Sequence, residues 1–529
     1  MIFLLKPLRI SICLALVFAL FLGGIVRIML IMDNEKIKVS SEQNVKVITL
    51  SNLRANIFDT NGEILTEDKE KIYAVITPTP TAVMYVSNVL YGDEKIEVLS
   101  KVKNQKVAIL EVEKEIKCAG IVNVKGSAHI TESGFCSHLL GYLNNENQGV
   151  SGIEKAYDSI LSSDKKLTVK LFTSANGEML SGIEPEVSEH KEVHFNGVIL
   201  TIDKNVQKIL EEVTADLKKG AVVISEAGSG KIRGMVSRPN FDANNIKESL
   251  NSEDAPFLNR CLMSFNVGSV FKPCVAVSYL EGQQTRGFSV NCTGKTLIGD
   301  KEFSCHKSEG HGNVNLYDAL AYSCNSFFYS LAPLVKAENI VKTASVFGFG
   351  YKKELCKGVE TKNEKMPEEK DLESSLALAN LSIGQGSLMA SPVTLLSLYE
   401  AIACEGVYHK PTVIEGIMKN GITEYEGEPS KIKAMNKETA DIIKNALKKV
   451  ISDGTGQSVL MGIDGAGKTA TAQTGQKKNG REVEHSWFCG FFPYDNPTYI
   501  VSVLVEDSFG KEKQAMEIFK ELSLRLLNR

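Results

Sequence analysis

A long apolar run near the N-terminus sets the strongest limit on what this chain can fold into. Apolar residues run almost unbroken from Ile10 to Val26 and resume from Ile28 to Met32 after a single arginine. As a helix, this run would rise about 35 Å, which covers a hydrocarbon core of about 30 Å. Lys6 and Arg9 precede the run, and such basic flanks usually face the cytoplasm. The sequence therefore predicts a single-pass cell-membrane protein with a cytoplasmic tail over 1–9 and a transmembrane anchor over 10–32.

A cleaved export signal is the alternative interpretation of this run. The run is longer than the apolar region of most signal peptides, and no convincing A-x-A-like cleavage site follows it. We therefore favour an uncleaved anchor, which places everything after residue 33 outside the cytoplasm.

The composition of the chain excludes several classes of protein. The 529 residues are 43% hydrophobic and 23% charged, which is typical of a folded chain with several units. The net charge of −4 predicts no nucleic-acid partner. The eight histidines form no HExxH motif and the eleven cysteines no CxxC pair, so we predict neither a metal site nor a cofactor. Cys292 and Cys305 are close enough in sequence to bridge one loop, but spacing alone leaves their disulfide state open.

The pattern of the chain changes near residue 195, where we place the main domain boundary. Short β-like runs and charged stretches precede it, and a strand-like segment leads into a helical pattern after it. We predict an N-terminal domain over 33–195 and a second domain over 196–529. Within the second domain we predict two hairpins, one over 221–236 and the other over 487–505. We also predict a solvated loop over 352–371 and a closing helix over 511–527.

The first motif that could take part in catalysis is Ser269-Val270-Phe271-Lys272. Gly268 precedes it and an apolar, helix-like run follows, with Pro273 acceptable only in the first turn. Ser269 would then begin a helix with Lys272 one turn along the same face. Desolvation favours a neutral lysine, which could take the serine proton. The spacing alone is weak, because it also occurs at Ser100, Ser162, Ser188 and Ser430.

Two further motifs follow the first along the chain. Ser323-Cys324-Asn325 begins 54 positions after Ser269, and Lys468-Thr469-Ala470-Thr471 begins 145 positions after Ser323. The third motif precedes β-type residues, and a strand there would offer a cation, hydroxyl groups and backbone N–H groups. That set suits a substrate carboxylate and a carbonyl oxygen.

The three motifs, in this order and behind an export anchor, resemble those of the class B penicillin-binding proteins, the monofunctional peptidoglycan D,D-transpeptidases. The resemblance covers nearly the whole chain, and Cys292, Cys305 and the His311-Gly312 region are similar to the division and sporulation branch. The other segments that carry it are Arg54–Leu65, Gly149–Asp158, Leu200–Asp203, Asn259-Arg260, Ile383–Gly386, Gly454–Gly456 and Trp487-Phe488.

This resemblance implies an α+β multidomain fold. It comprises a single transmembrane helix, a mixed α/β pedestal domain of the dimerisation type, and a transpeptidase domain like that of β-lactamases. A five-stranded antiparallel sheet flanked by helices would form the core of that last domain. Implied partners are stem peptides ending in D-Ala-D-Ala, β-lactam antibiotics, the membrane, and a glycosyltransferase or divisome-type protein.

The resemblance also implies a role for each motif residue. Ser269 would be the nucleophile, Lys272 the base, and Ser323 the relay of a proton to the leaving amine. The substrate-binding residues would be Asn325, Lys468, Thr469 and Thr471. β-Lactams would acylate the same serine.

Three alternatives remain open from the sequence. Ala470 stands where the family usually has glycine, which leaves a catalytically impaired scaffold or β-lactam sensor possible on the same fold. The motifs also fit hydrolysis by a D,D-carboxypeptidase or a β-lactamase. Finally, Gly462–Thr469 satisfies the P-loop pattern GxxxxGK[ST], although a P-loop needs a strand before it and a helix after it.

Overall fold

The computed structural model describes residues 5–32, 45–104, 106–144, 147–172, 185–188, 196–282 and 287–527. The chain divides into two compact units that alternate along the sequence. The first comprises Met1–Leu53, Asp68–Ala128 and Ser163–Val193, and the second Arg54–Glu67, His129–Ser162 and His194–Arg529. A boundary near residue 195 stays a prediction, and that residue lies outside the described ranges.

The N-terminal apolar run forms one helix, Leu5–Met32. Between Ile10 and Leu30 this helix is long and apolar enough to cross a membrane, and none of it is buried against the rest of the protein. Its exposed large apolar side chains are those of leucine, isoleucine, valine, phenylalanine and methionine, which water would solvate poorly. The predicted helix is therefore present over the predicted residues.

Besides the helix Leu5–Met32, the described residues of the first unit contain two small sheets and two helices. One sheet orders its strands Val45–Arg54, Ser162–Phe172 and Glu186–Ser188, and the other Ala108–Val112, Thr66–Ile76 and Ile121–Thr131. The helices are Pro80–Val89 and Gly92–Lys103, and the side chain of Thr79 caps the first by accepting from the backbone N–H of Ala82. Alanine, valine and isoleucine side chains from the helices and the second sheet form one apolar core.

A five-stranded antiparallel sheet, hereafter the central sheet, organises the second unit. Its strands, in spatial order, are Ile232–Arg238, Gly220–Glu226, Tyr499–Val505, Arg481–Phe492 and Ala466–Lys478. Both predicted hairpins are present here. The last strand in this order lies at an edge of the sheet, and we call it the edge strand.

Helices cover both faces of the central sheet, because alternate residues of a strand point to opposite sides. Ala221 and Val223 join one apolar core, whereas Val222 and Ile224 join another. The second core includes Phe519 and Leu522 of the closing helix. The helices of this unit are Ser137–Leu140, Gly152–Ala156, Asp158–Leu161, Lys204–Val213, Lys272–Glu281, Leu316–Ala321, Asn325–Val335, Ala337–Val346, Ser375–Ser382, Pro392–Ala403, Lys437–Ser452, Gln457–Leu460 and Gln514–Leu527.

The smaller sheets of the second unit are short pairings around this core. One four-stranded sheet orders Asn56–Phe58, Gly197–Leu200, Ile414–Lys419 and Ile422–Tyr425. The two-stranded pairs join Phe265–Asn266 to Met389–Ala390, Val290–Cys292 to Gly312–Val314, Lys295–Ile298 to Lys301–Ser304, Glu354–Cys356 to Val359–Glu360, and Val407–His409 to Lys431–Lys433. In the part of the chain that the structure describes, the 3-10 turns are Ile246–Ser249, Gly268–Phe271 and Glu369–Glu373.

Residues 352–371 are more ordered than the predicted solvated loop. They contain a short hairpin and a 3-10 turn, and Leu355, Val359 and Thr361 are buried. The hydroxyl of Thr361 accepts a hydrogen bond from the backbone N–H of Lys353 at 2.9 Å. The sequence did not predict these elements, because the few apolar residues of this segment are interspersed with many lysine and glutamate residues.

A buried ion pair explains why Arg54–Glu67 belongs to the second unit. Arg54 donates to Glu154 Oε2 at 2.6 Å and to Asp158 Oδ1 at 2.9 Å. Both Arg54 and Glu154 are buried, so removing either would leave an uncompensated charge. The sequence landmarks at 54–65 and 149–158 therefore meet in space.

Candidate active site

Ser269 lies on a tight turn beside the edge strand. It belongs to the 3-10 turn Gly268–Phe271, which leads directly into the helix Lys272–Glu281 with Pro273 in its first turn. Gly268 has a φ of +59°, and a Cβ there would come within 3.2 Å of the carbonyl oxygen of Thr471. A Cβ on Gly384 would lie 2.0 Å from the carbonyl oxygen of Gly268. Both glycines are needed because backbone packs on backbone on two sides of this turn.

Lys272 is fully buried and bonded to the second motif. Its Nζ donates to the carbonyl oxygen of Ser323 at 2.8 Å, to Ser323 Oγ at 3.2 Å and to Asn325 Oδ1 at 2.7 Å. Burial lowers the pKa of Lys272 to about 7, partly opposed by Cys324 and Cys305. Ser269 Oγ is not among the acceptors of this lysine. The structure thus joins the first two motifs through Lys272, and not through the serine.

The second motif holds its serine in an unusual backbone conformation. Ser323 has a φ of 55°, in the left-handed region that side chains disfavour. The segment is fixed on both sides, because the N–H of Cys324 donates to the carbonyl oxygen of Ala319 at 2.9 Å and Asn325 begins a helix. Backbone strain of this kind persists where surrounding contacts over-determine it.

Lys468 of the third motif is buried within the edge strand. Its Nζ donates to the carbonyl oxygen of Thr469 at 3.0 Å. Burial, followed by the charge of Lys272, holds the pKa of Lys468 well below its usual range. Two buried ammonium groups that repel each other favour a state in which at least one lysine is neutral.

Ala470 turns its methyl group into the apolar core. It is buried with Ala472, whereas Thr471 between them is exposed and faces the cleft. This alternation follows from the two-residue period of a strand. The methyl group that distinguishes Ala470 from glycine therefore lies on the opposite face from Thr471.

One cavity brings residues of the three motifs together. It has a volume of about 860 Å³ and is lined by Ser269, Asn325 and Thr471, together with polar residues of neighbouring elements. Among those neighbours are Asn266, Asn380, Gln385, Gln473, Glu482 and Glu484. Lys272 and Lys468 do not line the cavity, since both are buried behind it.

Thr455 is a residue whose role the sequence did not reveal. Its Oγ1 lies 2.6 Å from Thr469 Oγ1, and its N–H donates to the carbonyl oxygen of Ala321 at 3.1 Å. A Cβ on the neighbouring Gly454 would lie 2.3 Å from that same carbonyl. The segment Gly454–Gly456 therefore ties the edge strand to the helix that precedes the second motif.

The P-loop alternative is wrong. Lys468 and Thr469 lie inside the edge strand, which continues to Lys478 and is followed by another strand. A P-loop needs a helix at that point, because its phosphate site is built from a helix N-terminus.

A cluster of sulfur and nitrogen atoms lies behind the second motif, and sequence analysis missed it. Cys292, Cys305, His311 and Cys324 each place one potential ligand atom within 4.8 Å of all the others. His311 Nδ1 lies 3.6 Å from both Cys292 Sγ and Cys305 Sγ. All eleven cysteines of the chain, including Cys292 and Cys305, are free thiols in the structure. The sequence did not predict the cluster because its members come from three separate segments: the end of the strand Val290–Cys292, the loop 305–311 and the residue before the helix Asn325–Val335.

Comparison with protein-family models identifies the family of this chain. The model described as "Penicillin binding protein transpeptidase domain" matches residues 220–524, which is more than half of the sequence. The chain belongs to this family, as the motifs predicted.

Two curated relatives are similar over most of the chain. Stage V sporulation protein D of Bacillus subtilis is 27% identical over 494 residues, covering 86% of this chain and 74% of the relative. The peptidoglycan D,D-transpeptidase MrdA of Acinetobacter baumannii is 26% identical over 424 residues, covering 70% of this chain and 62% of the relative.

A solved structure confirms the fold. The complex between penicillin-binding protein PBP2 and MreC from Helicobacter pylori matches with a TM-score of 0.68 and 23% identity, covering 92% of this chain and 99% of that one. The predicted multidomain architecture, with its five-stranded antiparallel sheet, is therefore confirmed.

Proposed function

We propose that this chain is a serine-type peptidoglycan D,D-transpeptidase with Ser269 as its nucleophile. One observation carries the proposal: a fully buried lysine, Lys272, one helical turn from Ser269, is hydrogen-bonded to Ser323 and Asn325. Ser269 itself faces a cavity that Asn325 and Thr471 also line. Family membership supports the same activity.

The proposed reaction has two steps. Neutral Lys272 takes the proton of Ser269 Oγ, which attacks the carbonyl carbon of the penultimate D-alanine. The C–N bond breaks, and the terminal D-alanine leaves with a proton relayed by Ser323. The amine of a second stem peptide then attacks the Ser269 ester, loses its proton and restores the serine hydroxyl.

The remaining motif residues bind substrate in this proposal. Asn325 would hold the substrate amide, and Thr469 and Thr471 would hold the terminal carboxylate. Lys468 is buried behind the cavity, so it would act on that carboxylate through its charge and not by direct contact. The backbone N–H groups of Ser269 and Thr471 would form the oxyanion hole, since the Ser269 turn packs against Thr471. A β-lactam would acylate Ser269 in the same way, with its ring amide in place of the scissile bond.

Location and partners follow from the same proposal. The helix Leu5–Met32 would anchor the chain in the cell membrane with the cavity on the extracytoplasmic side. Because a structurally similar protein was solved in complex with MreC, we propose a partner from a wall-synthesis complex of the elongation, division or sporulation type.

Labelling of the full chain in detergent with a fluorescent penicillin tests the nucleophile. We expect Ser269→Ala to abolish labelling. Ser430→Ala is the matched control, because Ser430 and Lys433 have the same Ser-x-x-Lys spacing on an exposed segment. Equal labelling of Ser269→Ala and the unchanged chain would refute the proposal.

A second measurement separates transfer from its alternatives. With a stem-peptide donor and an acceptor amine, we expect a cross-linked product together with free D-alanine. D-alanine release without cross-linking would indicate a carboxypeptidase, and rapid β-lactam turnover a β-lactamase. A stable penicillin adduct without either product would indicate a sensor.

A further inference from the structure

We propose that Cys292, Cys305, His311 and Cys324 bind one zinc ion, and that this ion holds the second catalytic motif in place. The first part stands independently of the proposed function, and the second part rests on it.

The distances in the cluster match a single tetrahedral ion. Zinc binds thiolate sulfur at about 2.3 Å and imidazole nitrogen at about 2.0–2.1 Å, so in a tetrahedron the S···N separation is about 3.5 Å. His311 Nδ1 lies 3.6 Å from each of two sulfur atoms. Every pair of ligand atoms lies within 4.8 Å, so only small movements are needed to close the site.

The donor set selects zinc among the common ions. Three sulfur atoms and one imidazole nitrogen form a soft, four-coordinate set, which is typical of structural zinc. Calcium and magnesium require oxygen ligands, and the cluster offers none. Each cysteine binds as a thiolate, so loading the site releases the thiol protons to solvent.

The backbone of the loops that carry the ligands allows Cys292 and His311 to lie close together. Cys292 ends one short strand, and His311 lies directly before the strand that pairs with it. A Cβ on Gly310 would lie 2.1 Å from the carbonyl oxygen of Cys292, and Gly310 has a φ of +80°. Only glycine fits this turn, which brings His311 back beside Cys292.

The surroundings also supply a partner outside the four ligands. The N–H of Asn325 donates to Cys305 Sγ at 3.4 Å, a kind of contact that orients and tunes a metal-bound thiolate. Cys292, Cys305 and Cys324 are buried, while His311 is partly exposed and Cys305 also lines the cavity that contains Ser269.

The connection to catalysis is through Cys324. This ligand stands between Ser323 and Asn325, the two residues that accept hydrogen bonds from Lys272. A bound ion would fix Cys324 Sγ, and with it the left-handed backbone at Ser323. Cys305 lines the same cavity as Ser269, but the proposed reaction gives none of the four ligands a reacting atom, so they are positioning residues.

Metal content of the full chain in detergent tests the site. We expect one zinc per chain after extensive dialysis, and loss of that zinc in Cys292→Ser. Cys489→Ser is the matched control: Cys489 is also buried, and Ser502 Oγ at 3.4 Å can bond a serine hydroxyl there. If Cys292→Ser fails to fold, zinc-edge X-ray absorption of the unchanged chain still decides, with three sulfur and one nitrogen neighbours expected.

Three outcomes would overturn the site. They are no bound metal in the dialysed chain, iron in place of zinc, and a disulfide between any two of the three cysteines in protein purified with its native redox state preserved.

Acylation kinetics test the positioning role. Removing zinc with a chelator should lower the rate constant for penicillin acylation by about 10–100-fold, and adding zinc back should restore it. The final extent of labelling should stay unchanged, because simple unfolding would lower the extent instead of the rate. An unchanged rate in metal-free protein would refute positioning while leaving the zinc site intact. Labelling of Ser269→Ala, which should retain its zinc, would refute only the proposed nucleophile.

Discussion

The segment Ser323–Asn325 has two different faces: the sequence predicted the residues of one, and only the structure revealed those of the other. On one face Lys272 donates to Ser323 and Asn325, and every participant lies in a recognisable sequence motif. On the other face Cys324 meets Cys292, Cys305 and His311, which resemble the division and sporulation branch but belong to none of the three catalytic motifs. The residues of the first face could be predicted because each lies in a short motif with a known spacing. The residues of the second face come together only when the chain folds.

The largest expected effect comes from breaking the lysine face alone. Lys272→Met keeps the volume and removes the base, so acylation by penicillin should fall by about 10²–10⁴-fold. The zinc content should not change, which would show that the two faces are separable.

Lys353→Met is the matched control for that variant. Lys353 is also a lysine whose pKa burial lowers, to about 8, and it bonds to Phe347 and Ser397 outside the cavity. Its variant should lose stability but keep the acylation rate of the remaining folded protein. Equal rates for Lys272→Met and Lys353→Met would contradict the assigned role of Lys272.

A pH profile sharpens the description of the lysine face. Because burial lowers the pKa of Lys272 to about 7, the neutral base is lost as the pH falls through that value. The acylation rate should therefore rise with pH towards a plateau above about 7 and fall about tenfold per unit below it. Burial is the first cause of this midpoint, Cys324 and Cys305 partly oppose it, and Lys468 is a second buried amine whose own pKa is lowered by burial and by the charge of Lys272. A flat profile across this range in stopped-flow labelling would argue against a titrating Lys272.

The smallest effect is expected on the edge strand, away from both faces. Ala470→Gly should change the acylation rate by less than about threefold, because the methyl group lies on the core side. Thermal unfolding should show a loss of about 0.5–1 kcal/mol, the usual effect of glycine in a strand. A large gain in acylation would instead show that Ala470 impairs the site.

The sequence predicted most of the site but not its internal contacts. Ser269, Asn325 and Thr471 line one cavity as expected, because their motifs are short and each lies within one local element. The bond between Thr455 and Thr469 could not be predicted, since it depends on how a turn docks against the edge strand. Packing over long sequence separations also explains the interleaved units, which depend on contacts such as Arg54 with Glu154.

The position of the strand Ala466–Lys478 at the border of its sheet has one more consequence. Among the described residues, only one strand pairs with it, so its other edge has no neighbouring strand. An extended peptide could lie alongside it and lengthen the sheet by a sixth member, held through amide groups that every residue carries. Binding of this kind would tolerate changes in the side chains of the bound peptide, but it would require the peptide backbone to be extended.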